Sequence, residues 1–275
     1  MSRGLIVVDD GGHSTGVMTK NRQELFPSVK GSYGKRNLTS VTGEHDFIVE
    51  YKNEKYVMGT LAQYDNRYPM QMHTSSKQND FYDLSVLVAI HQYGYLENYL
   101  IVPVPIDYHT EEEKNGRIHR LKDEHTLVVN GVSKKFEIAD VKVTPETAVA
   151  YWIHEPEGKT RYLDLGSRTV GWATTINQNG IVRFIDTESG TFKSEGIDAL
   201  GENYNPKALA DYICGKLLAT WNPDDTVSLL GGGALDSALV YYIQTYFNNA
   251  YVMDNPQMVN TLGMFNLGGT VYGVV

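Results

Sequence analysis

The stretch VVDDGG at residues 7–12 has a near repeat in YLDLGS at residues 162–167. In both, an apolar run typical of a buried strand leads into an aspartate, one further residue, a glycine and a small residue. The two aspartates, Asp9 and Asp164, are 155 residues apart (164 − 9) in a chain of 275. This spacing predicts two similar half-domains that each present the same turn.

The chemistry of this turn suits an anion. Glycine permits a tight turn whose backbone N–H groups point at a phosphate, and an aspartate at the strand end can hold Mg²⁺, mostly through water. A single turn of this kind is weak evidence, because Asp and Gly are common in turns everywhere. Two of them, each following a predicted strand, indicate phosphate binding.

A third glycine-rich element is LLGGGALDS at residues 229–237, between a predicted strand and a predicted helix. Three consecutive glycines let the backbone approach a ligand closely at a helix N-terminus. A simple packing turn is the alternative. The Walker pattern and the dinucleotide-binding pattern are both absent.

The segment VTPETAVAYWIHE at residues 143–155 carries a helix-start signal, with Thr144 as the N-cap and Pro145 at the first position. Glu146 in that first turn has two explanations. It complements the helix dipole, or it positions and polarises the water that attacks a γ-phosphate.

Composition narrows the function classes. The formal net charge of −9 argues against a broad nucleic-acid surface, which needs clustered Lys and Arg. The single cysteine, Cys214, suits a reducing compartment, and no apolar run is long enough for a signal peptide or a membrane span. We therefore expect a soluble cytoplasmic protein.

Hydrophobic periodicity predicts an α/β architecture in which strand-rich blocks are followed by single helices. Strands are expected at residues 5–8, 97–106, 160–176 and 180–189, hairpins at 47–59 and 126–138, and helices at 81–93, 205–221 and 255–265. The acidic run in HTEEEKNGR (109–117) is expected to be a solvated helix face, and Lys35 and Arg36 are candidates for contact with a neighbouring subunit.

The order of these parts resembles the phosphate-1, connect-1, phosphate-2 and adenosine motifs of the actin-like ATPases, the superfamily of actin, Hsp70 and the sugar kinases. Within it, the chain is most similar to plasmid-segregation actins of the ParM type. The strings that carry the resemblance are DDGG (9–12), LFPSV (25–29), VTPET (143–147), DLGSRT (164–169), GGGA (231–234) and NPQMVNTLGMF (255–265).

The resemblance implies an actin-like, ribonuclease H-like fold of two α/β domains around a nucleotide cleft. Its expected parts are domain I at 1–146 with subdomains IA and IB, domain II at 147–260, mainly IIA, and a segment at 261–275 that returns to domain I. Only 67 residues (231 − 164) separate Asp164 from Gly231. Subdomain IIB is therefore expected to be missing or strongly reduced, as in the AlfA-type segregation actins.

The resemblance also implies ATP or GTP with Mg²⁺ as cofactors, and it assigns residues to them. Asp9 and Asp164 are the expected metal-binding residues, and Glu146 and Asp164 are the expected catalytic residues. The nucleotide contacts are expected from Gly11, Gly12, His13, Gly166, Ser167, Arg168, Gly231, Gly232, Gly233 and Ala234. Many relatives carry a Lys at the position of Gly16, and Lys193 and Glu195 are candidates for base contacts.

The implied function is a nucleotide-dependent filament that segregates plasmid DNA. Its expected partners are further copies of the chain, in a helical and possibly bundled filament, and a DNA-binding adaptor protein bound to a plasmid centromere; neither direct DNA binding nor a membrane is expected. One alternative is a small-molecule kinase of the same superfamily, similar to type III pantothenate kinase, which does not predict LFPSV or NPQMVNTLGMF. Another is a nucleotide-binding regulator that hydrolyses nothing.

Overall fold

The computed structural model describes residues 3–34, 37, 43–66, 69–70 and 76–273, so the expectation for Lys35 and Arg36 lies outside the described residues. The chain divides into two compact units. The first comprises Met1–Pro103, Glu111–Val143 and Gly268–Val275, and the second comprises Val104–Thr110 and Thr144–Leu267. These bounds differ from the predicted ones, because residues 104–110 group with the second unit and the C-terminal return begins at Gly268 rather than at residue 261.

The first unit is built on a ten-stranded sheet with the order β3-β2-β1-β8-β10-β9-β5-β6-β4-β7. Its strands are β1 (Arg3–Asp10), β2 (Ser14–Thr19), β3 (Arg22–Pro27), β4 (Lys30–Ser32), β5 (Asp46–Tyr51), β6 (Glu54–Gly59), β7 (Pro69–Met70), β8 (Glu97–Val104), β9 (Glu124–Val129) and β10 (Val132–Pro145). The predicted hairpins are confirmed as the antiparallel pairs β5–β6 and β9–β10.

The second unit is built on a six-stranded sheet in which β13, β12, β11, β15 and β16 follow one another and β14 also pairs with β12. Its strands are β11 (Gly158–Leu165), β12 (Thr169–Gln178), β13 (Ile181–Phe184), β14 (Gly190–Lys193), β15 (Thr226–Leu230) and β16 (Asn249–Val252).

The α-helices are α1 (Thr60–Tyr64), α2 (Asp80–Tyr93), α3 (Glu111–Leu121), α4 (Ile197–Leu200), α5 (Pro206–Leu217), α6 (Ser237–Gln244) and α7 (Val259–Tyr272). The Asn–Pro start of α5 is as predicted, because the Asn205 side chain accepts a hydrogen bond from the N–H of Ala208 (3.0 Å). None of the described helices is long and apolar enough to cross a membrane.

The two halves repeat one arrangement. β1 pairs antiparallel with β2 and parallel with β8, and β11 pairs antiparallel with β12 and parallel with β15. In each half the first hairpin strand is almost completely buried, as its apolar sequence predicts. Apolar cores then form in each unit, around Ile6 and Val8 in the first and around Leu163 and Leu165 in the second.

The helix predicted over residues 143–155 is wrong. β10 continues to Pro145, and only a short 3-10 helix, Ala148–Ile153, follows. The Thr144 hydroxyl caps no helix and has no hydrogen-bond partner among the described residues. The reason is a tertiary contact, because the N–H of Glu146 donates to the carbonyl of Val104 (2.8 Å) and so extends the strand pairing past the proline.

The acidic run at the start of α3 is not simply a solvated face. Glu113 is buried, and its carboxylate accepts hydrogen bonds from the Ser76 hydroxyl (3.0 Å) and from the N–H of Lys77 (3.0 Å). The side-chain amide of Gln78 donates to the same carboxylate (2.8 Å). Glu113 therefore fastens the chain segment that leads into α2.

Candidate functional site

The first Asp-Gly turn joins β1 to β2 through residues 11–13. Asp9 pairs with Gly16 across this hairpin, and a Cβ added at Gly11 would lie 2.7 Å from the carbonyl oxygen of Ser14. Because real Cβ atoms do not approach backbone so closely, the turn requires glycine at this position. Asp9 is half-buried, whereas His13 is exposed.

The string LFPSV, which carried part of the resemblance, supports this turn. The N–H of Ser28 donates to the carbonyl of His13 (2.8 Å), and the Ser28 and Thr15 hydroxyls are hydrogen-bonded to each other (2.8 Å). Ser28 is completely buried. The string therefore holds the carbonyl side of the turn in place.

Asp10 has a different role from Asp9, because successive strand residues point to opposite faces of the sheet. Its fully buried carboxylate accepts from the Arg117 guanidinium (2.6 Å) and from the Lys77 ammonium (3.1 Å). Burial lowers the pKa of the nearby Lys30 to about 7, and the charges of Asp10 and Asp83 oppose that shift. Asp10 is thus the centre of a buried ion-pair network that sequence reasoning left out of the site.

The second Asp-Gly turn has the geometry of the first. Residues 166–168 join β11 to β12, Asp164 pairs with Gly171, and a Cβ added at Gly166 would lie 2.7 Å from the carbonyl oxygen of Thr169. Residue 165, which corresponds to Asp10, is the buried Leu165. The repeat seen in the sequence is therefore a repeat in backbone register and in close approach.

A segment that sequence reasoning missed supports the second turn. The N–H groups of Gly196, Ile197, Asp198 and Ala199 donate to the carbonyls of residues 166–168, over distances from 2.9 to 3.3 Å. A Cβ at Gly196 would lie only 2.3 Å from the backbone nitrogen of Arg168. The carbonyl groups of this turn thus bond to residues 196–199.

The triple glycine packs onto the same turn. A Cβ at Gly231 would lie 2.3 Å from Oδ1 of Asp164, and one at Gly233 would lie 2.8 Å from the Cβ of Leu165. The sequence placed these glycines at a helix N-terminus, but Gly232–Leu235 form a short 3-10 helix. Asp236 instead caps α6, where it accepts from the N–H groups of Ala238 (2.9 Å) and Leu239 (3.2 Å).

Glu146 lies on a tight turn rather than in a helix. The N–H of Ala148 donates to the carbonyl of Glu146, and the residue between them, Thr147, has φ 64° and ψ −57°. These values describe a classic γ-turn, which is rare and strained, and a β-branched residue seldom adopts positive φ. Glu146 itself is half-buried.

Asn260 on α7 is the second residue that sequence reasoning missed. It lies within the quoted string NPQMVNTLGMF, but no local pattern singled it out. Its side-chain amide donates to Oδ2 of Asp164 (2.8 Å) and accepts from the N–H of Thr147 (3.0 Å). The amide therefore bonds to both the Glu146 turn and the Asp164 carboxylate within the second unit.

The residues at the turn of each unit have the chemical groups that a Mg-nucleotide requires. Gly11 and Gly166 form turns too tight for any side chain, Gly231 packs directly against the Asp164 carboxylate, and carbonyls of both turns bond to other parts of the chain. Asp9 and Asp164 supply oxygen ligands of the kind that Mg²⁺ prefers, each beside its turn. Each unit thus carries one half of the predicted donor set.

Two further candidates for ligand contact have side-chain neighbours within the chain. Lys193, a candidate for base contact, forms an ion pair with Asp107 (3.6 Å) and lies 4.8 Å above the Tyr108 ring. Elsewhere, the possible metal-ligating atoms of Glu24, Glu44 and His45 lie within 4.8 Å of one another. Within this group, His45 Nε2 lies 3.4 Å from Glu24 Oε2.

A sequence profile of the family described as "Actin like proteins N terminal domain" matches residues 8–148, just over half of the 275 residues. No curated protein sequence matches the chain. Similar solved structures include a pCBH ParM non-polymerisable quadruple mutant, with a TM-score of 0.80 at 16% identity over 98% of this chain and 100% of that chain.

Two other similar structures are a filament of AlfA bound to AMPPNP and the archaeal actin homologue Ta0583. The AlfA chain has a TM-score of 0.76 at 19% identity over 99% of this chain and 98% of that chain. Ta0583 has a TM-score of 0.79 at 13% identity over 98% of this chain and 99% of that chain. The predicted actin-like fold is confirmed, and every residue from Asp164 to Gly231 is described and belongs to the second unit.

Proposed function

Since the chain belongs to the actin-like protein family, we propose that it is a nucleotide-dependent filament protein that segregates plasmid DNA. It binds ATP or GTP with Mg²⁺, polymerises head to tail in the cytoplasm and hydrolyses the nucleotide. An adaptor protein bound to the plasmid centromere connects the filament to DNA. The net charge of −9 is consistent with a chain that does not contact DNA itself.

The observation that carries the proposal is the duplicated turn. In each of two hairpins, a Cβ added at the turn glycine would lie 2.7 Å from the carbonyl oxygen three residues later, and an aspartate stands two residues before that glycine. An ordinary packing turn has no need to occur twice with the same register. A pair of phosphate-binding turns does, because the β- and γ-phosphates each need their own set of N–H donors.

The backbone and the aspartates supply the binding chemistry in this proposal. The N–H groups of residues 11–13 donate to the β-phosphate, and those of residues 166–168 donate to the γ-phosphate. Asp9 and Asp164 would hold the metal through its waters, and the backbone of residues 231–234 would pack against the adenosine. When bound, Mg²⁺ neutralises charge that develops on the phosphate oxygens.

Glu146 supplies the catalytic carboxylate. It accepts a hydrogen bond from the attacking water and fixes the direction of attack, which is the main contribution that a protein makes to phosphoryl transfer. Asp164, at the end of β11 beside the second turn, would hold the bound metal through its waters. The backbone of Glu146 is bonded on both sides, so its side chain starts from a fixed position.

The test combines light scattering, pelleting and phosphate release after Mg-ATP or Mg-GTP is added to the purified chain. We expect scattering to rise above a critical protein concentration and phosphate release to follow it. Glu146→Ala should keep the scattering and lower phosphate release about 100-fold. Glu112→Ala, which removes an exposed glutamate of α3, is the matched control and should leave both unchanged.

Other outcomes of this assay would identify one of the two alternative functions. Transfer of phosphate to a small metabolite without scattering would identify a small-molecule kinase similar to type III pantothenate kinase. Nucleotide binding without hydrolysis would identify a regulator. Asp9→Ala tests the first turn separately, since unchanged Mg-nucleotide affinity would reduce Asp9 to a turn-forming residue.

A further inference from the structure

The backbone around Glu146 is held in a conformation that it does not prefer. Thr147 has φ 64° in a γ-turn, and a residue with a branched Cβ pays for that conformation with strain. Such a turn persists only where surrounding contacts outweigh its strain. The strained turn at Thr147 therefore needs a contact that holds it in place.

Asn260 is that contact. It is 9% exposed, and its Oδ1 accepts the N–H of Thr147 at 3.0 Å. The γ-turn bonds the carbonyl of Glu146 to Ala148, so the Thr147 N–H points to a partner outside the turn. Without Asn260 this buried donor would lose that partner, which is costly for a group removed from water.

The other end of the same amide fixes Asp164. Asn260 Nδ2 donates to Asp164 Oδ2 at 2.8 Å, and the Thr147 hydroxyl lies 3.5 Å from the same oxygen. A donor on one side and an acceptor on the other determine the orientation of the amide, since a flipped amide would satisfy neither partner. The two groups joined in this way carry the two catalytic residues of the proposed function.

We propose that Asn260 is a positioning residue for nucleotide hydrolysis, which sets the Glu146 turn and the Asp164 carboxylate in fixed register with each other. The inference rests on the proposed function. Asn260 acts through its neighbours, so it controls the rate of hydrolysis more than the affinity for nucleotide. An error of 1 Å in the position of a water-orienting group is enough to slow a reaction about 100-fold.

The first test needs no nucleotide. Hydrogen exchange, read by mass spectrometry on a peptide spanning residues 143–151, should show slow exchange in the wild type and at least tenfold faster exchange in Asn260→Ala. Asn260→Leu keeps the side-chain volume and loses both hydrogen bonds, so it should give the same result without a cavity. Asn266→Ala is the matched control, because Asn266 on the same helix donates to the carbonyl of Trp152 (2.9 Å).

The second test measures Mg-ATP affinity and single-turnover phosphate release separately. Asn260→Ala and Asn260→Leu should bind within about threefold of the wild type and release phosphate at least 30-fold more slowly. The double variant Glu146→Ala/Asn260→Ala should release phosphate no more slowly than Glu146→Ala. The reason is that Asn260 acts through Glu146, so its loss has no further effect once the Glu146 carboxylate is gone.

The outcomes separate the inference from the proposed function. Unchanged exchange in residues 143–151, or affinity and rate falling by equal factors, would overturn the role of Asn260. So would normal phosphate release in Asn260→Leu when Glu146→Ala is slow. If the wild type hydrolyses no nucleotide, the proposed function fails, while the exchange result still reports on the contact.

Discussion

Gly196→Ala tests whether residues 196–199 support the second Asp-Gly turn. The added Cβ would lie 2.3 Å from backbone atoms of Ser167 and Arg168, while ordinary van der Waals contact is 3.4–4 Å. The segment must therefore move by about 1 Å. Its N–H···O bonds to the turn now measure 2.9 to 3.3 Å, so this movement would lengthen them beyond hydrogen-bonding distance. Losing two to four bonds at about 1 kcal/mol each lowers the free energy of unfolding by about 2–4 kcal/mol.

Tryptophan fluorescence in urea is a suitable assay for this change. All three tryptophans, Trp152, Trp172 and Trp221, belong to the second unit, so their signal reports on the unit that carries the turn. The turn also belongs to the proposed nucleotide site, so we expect Mg-ATP affinity to fall at least tenfold in the same variant.

Gly215→Ala is the matched control, because this exposed glycine of α5 has no neighbour within 4 Å of an added Cβ. The same substitution should raise the free energy of unfolding by about 0.5–1 kcal/mol there, since alanine favours the helix. A Gly196→Ala variant with the wild-type urea midpoint and wild-type affinity would refute the support that we assign to residues 196–199.

Two further predictions concern the buried charges of the first unit. Asp10→Asn leaves Arg117 and Lys77 without their shared carboxylate, so it should destabilise the first unit by about 3–5 kcal/mol. Hydrogen exchange of β1 peptides in urea measures this loss. Little change would mean that water replaces the carboxylate. Burial lowers the pKa of Lys30 from 10.5 to about 7, so the unfolded chain binds more protons between those values, and the free energy of unfolding should rise with pH from about 7 towards 10.5. Chemical denaturation from pH 6.5 to 9.5 should show that rise in the wild type and a smaller one in Lys30→Met.

Much of the fold was predictable because its signals are local. Apolar runs, turn glycines and the Asn205–Pro206 cap act within a few residues, and β1, β11 and α5 form where the sequence indicates them. The duplicated turn was also readable, since Asp9 and Asp164 stand in the same short pattern. The roles assigned to these residues and to the glycines remain proposals.

The misreadings have a common physical cause. Thr144-Pro145-Glu146 is a good helix start by propensity, yet the hydrogen bond from Glu146 to Val104 overrides it. Glu113 has the sequence context of a surface residue, but the chain at Ser76 and Lys77 covers it. In each case a partner about 40 residues away decides the outcome, and no local pattern contains that information.

The sequence by itself determined the repeat, the α/β class and the residues at the two turns, because strand periodicity and turn chemistry depend on near neighbours. Only the tertiary structure decided that Glu146 sits on a strained turn, that Asp10 is a buried ion-pair centre, and that Asn260 joins Thr147 to Asp164. Those three outcomes depend on burying polar groups, and a buried polar group is stable only where distant parts of the chain supply its partners.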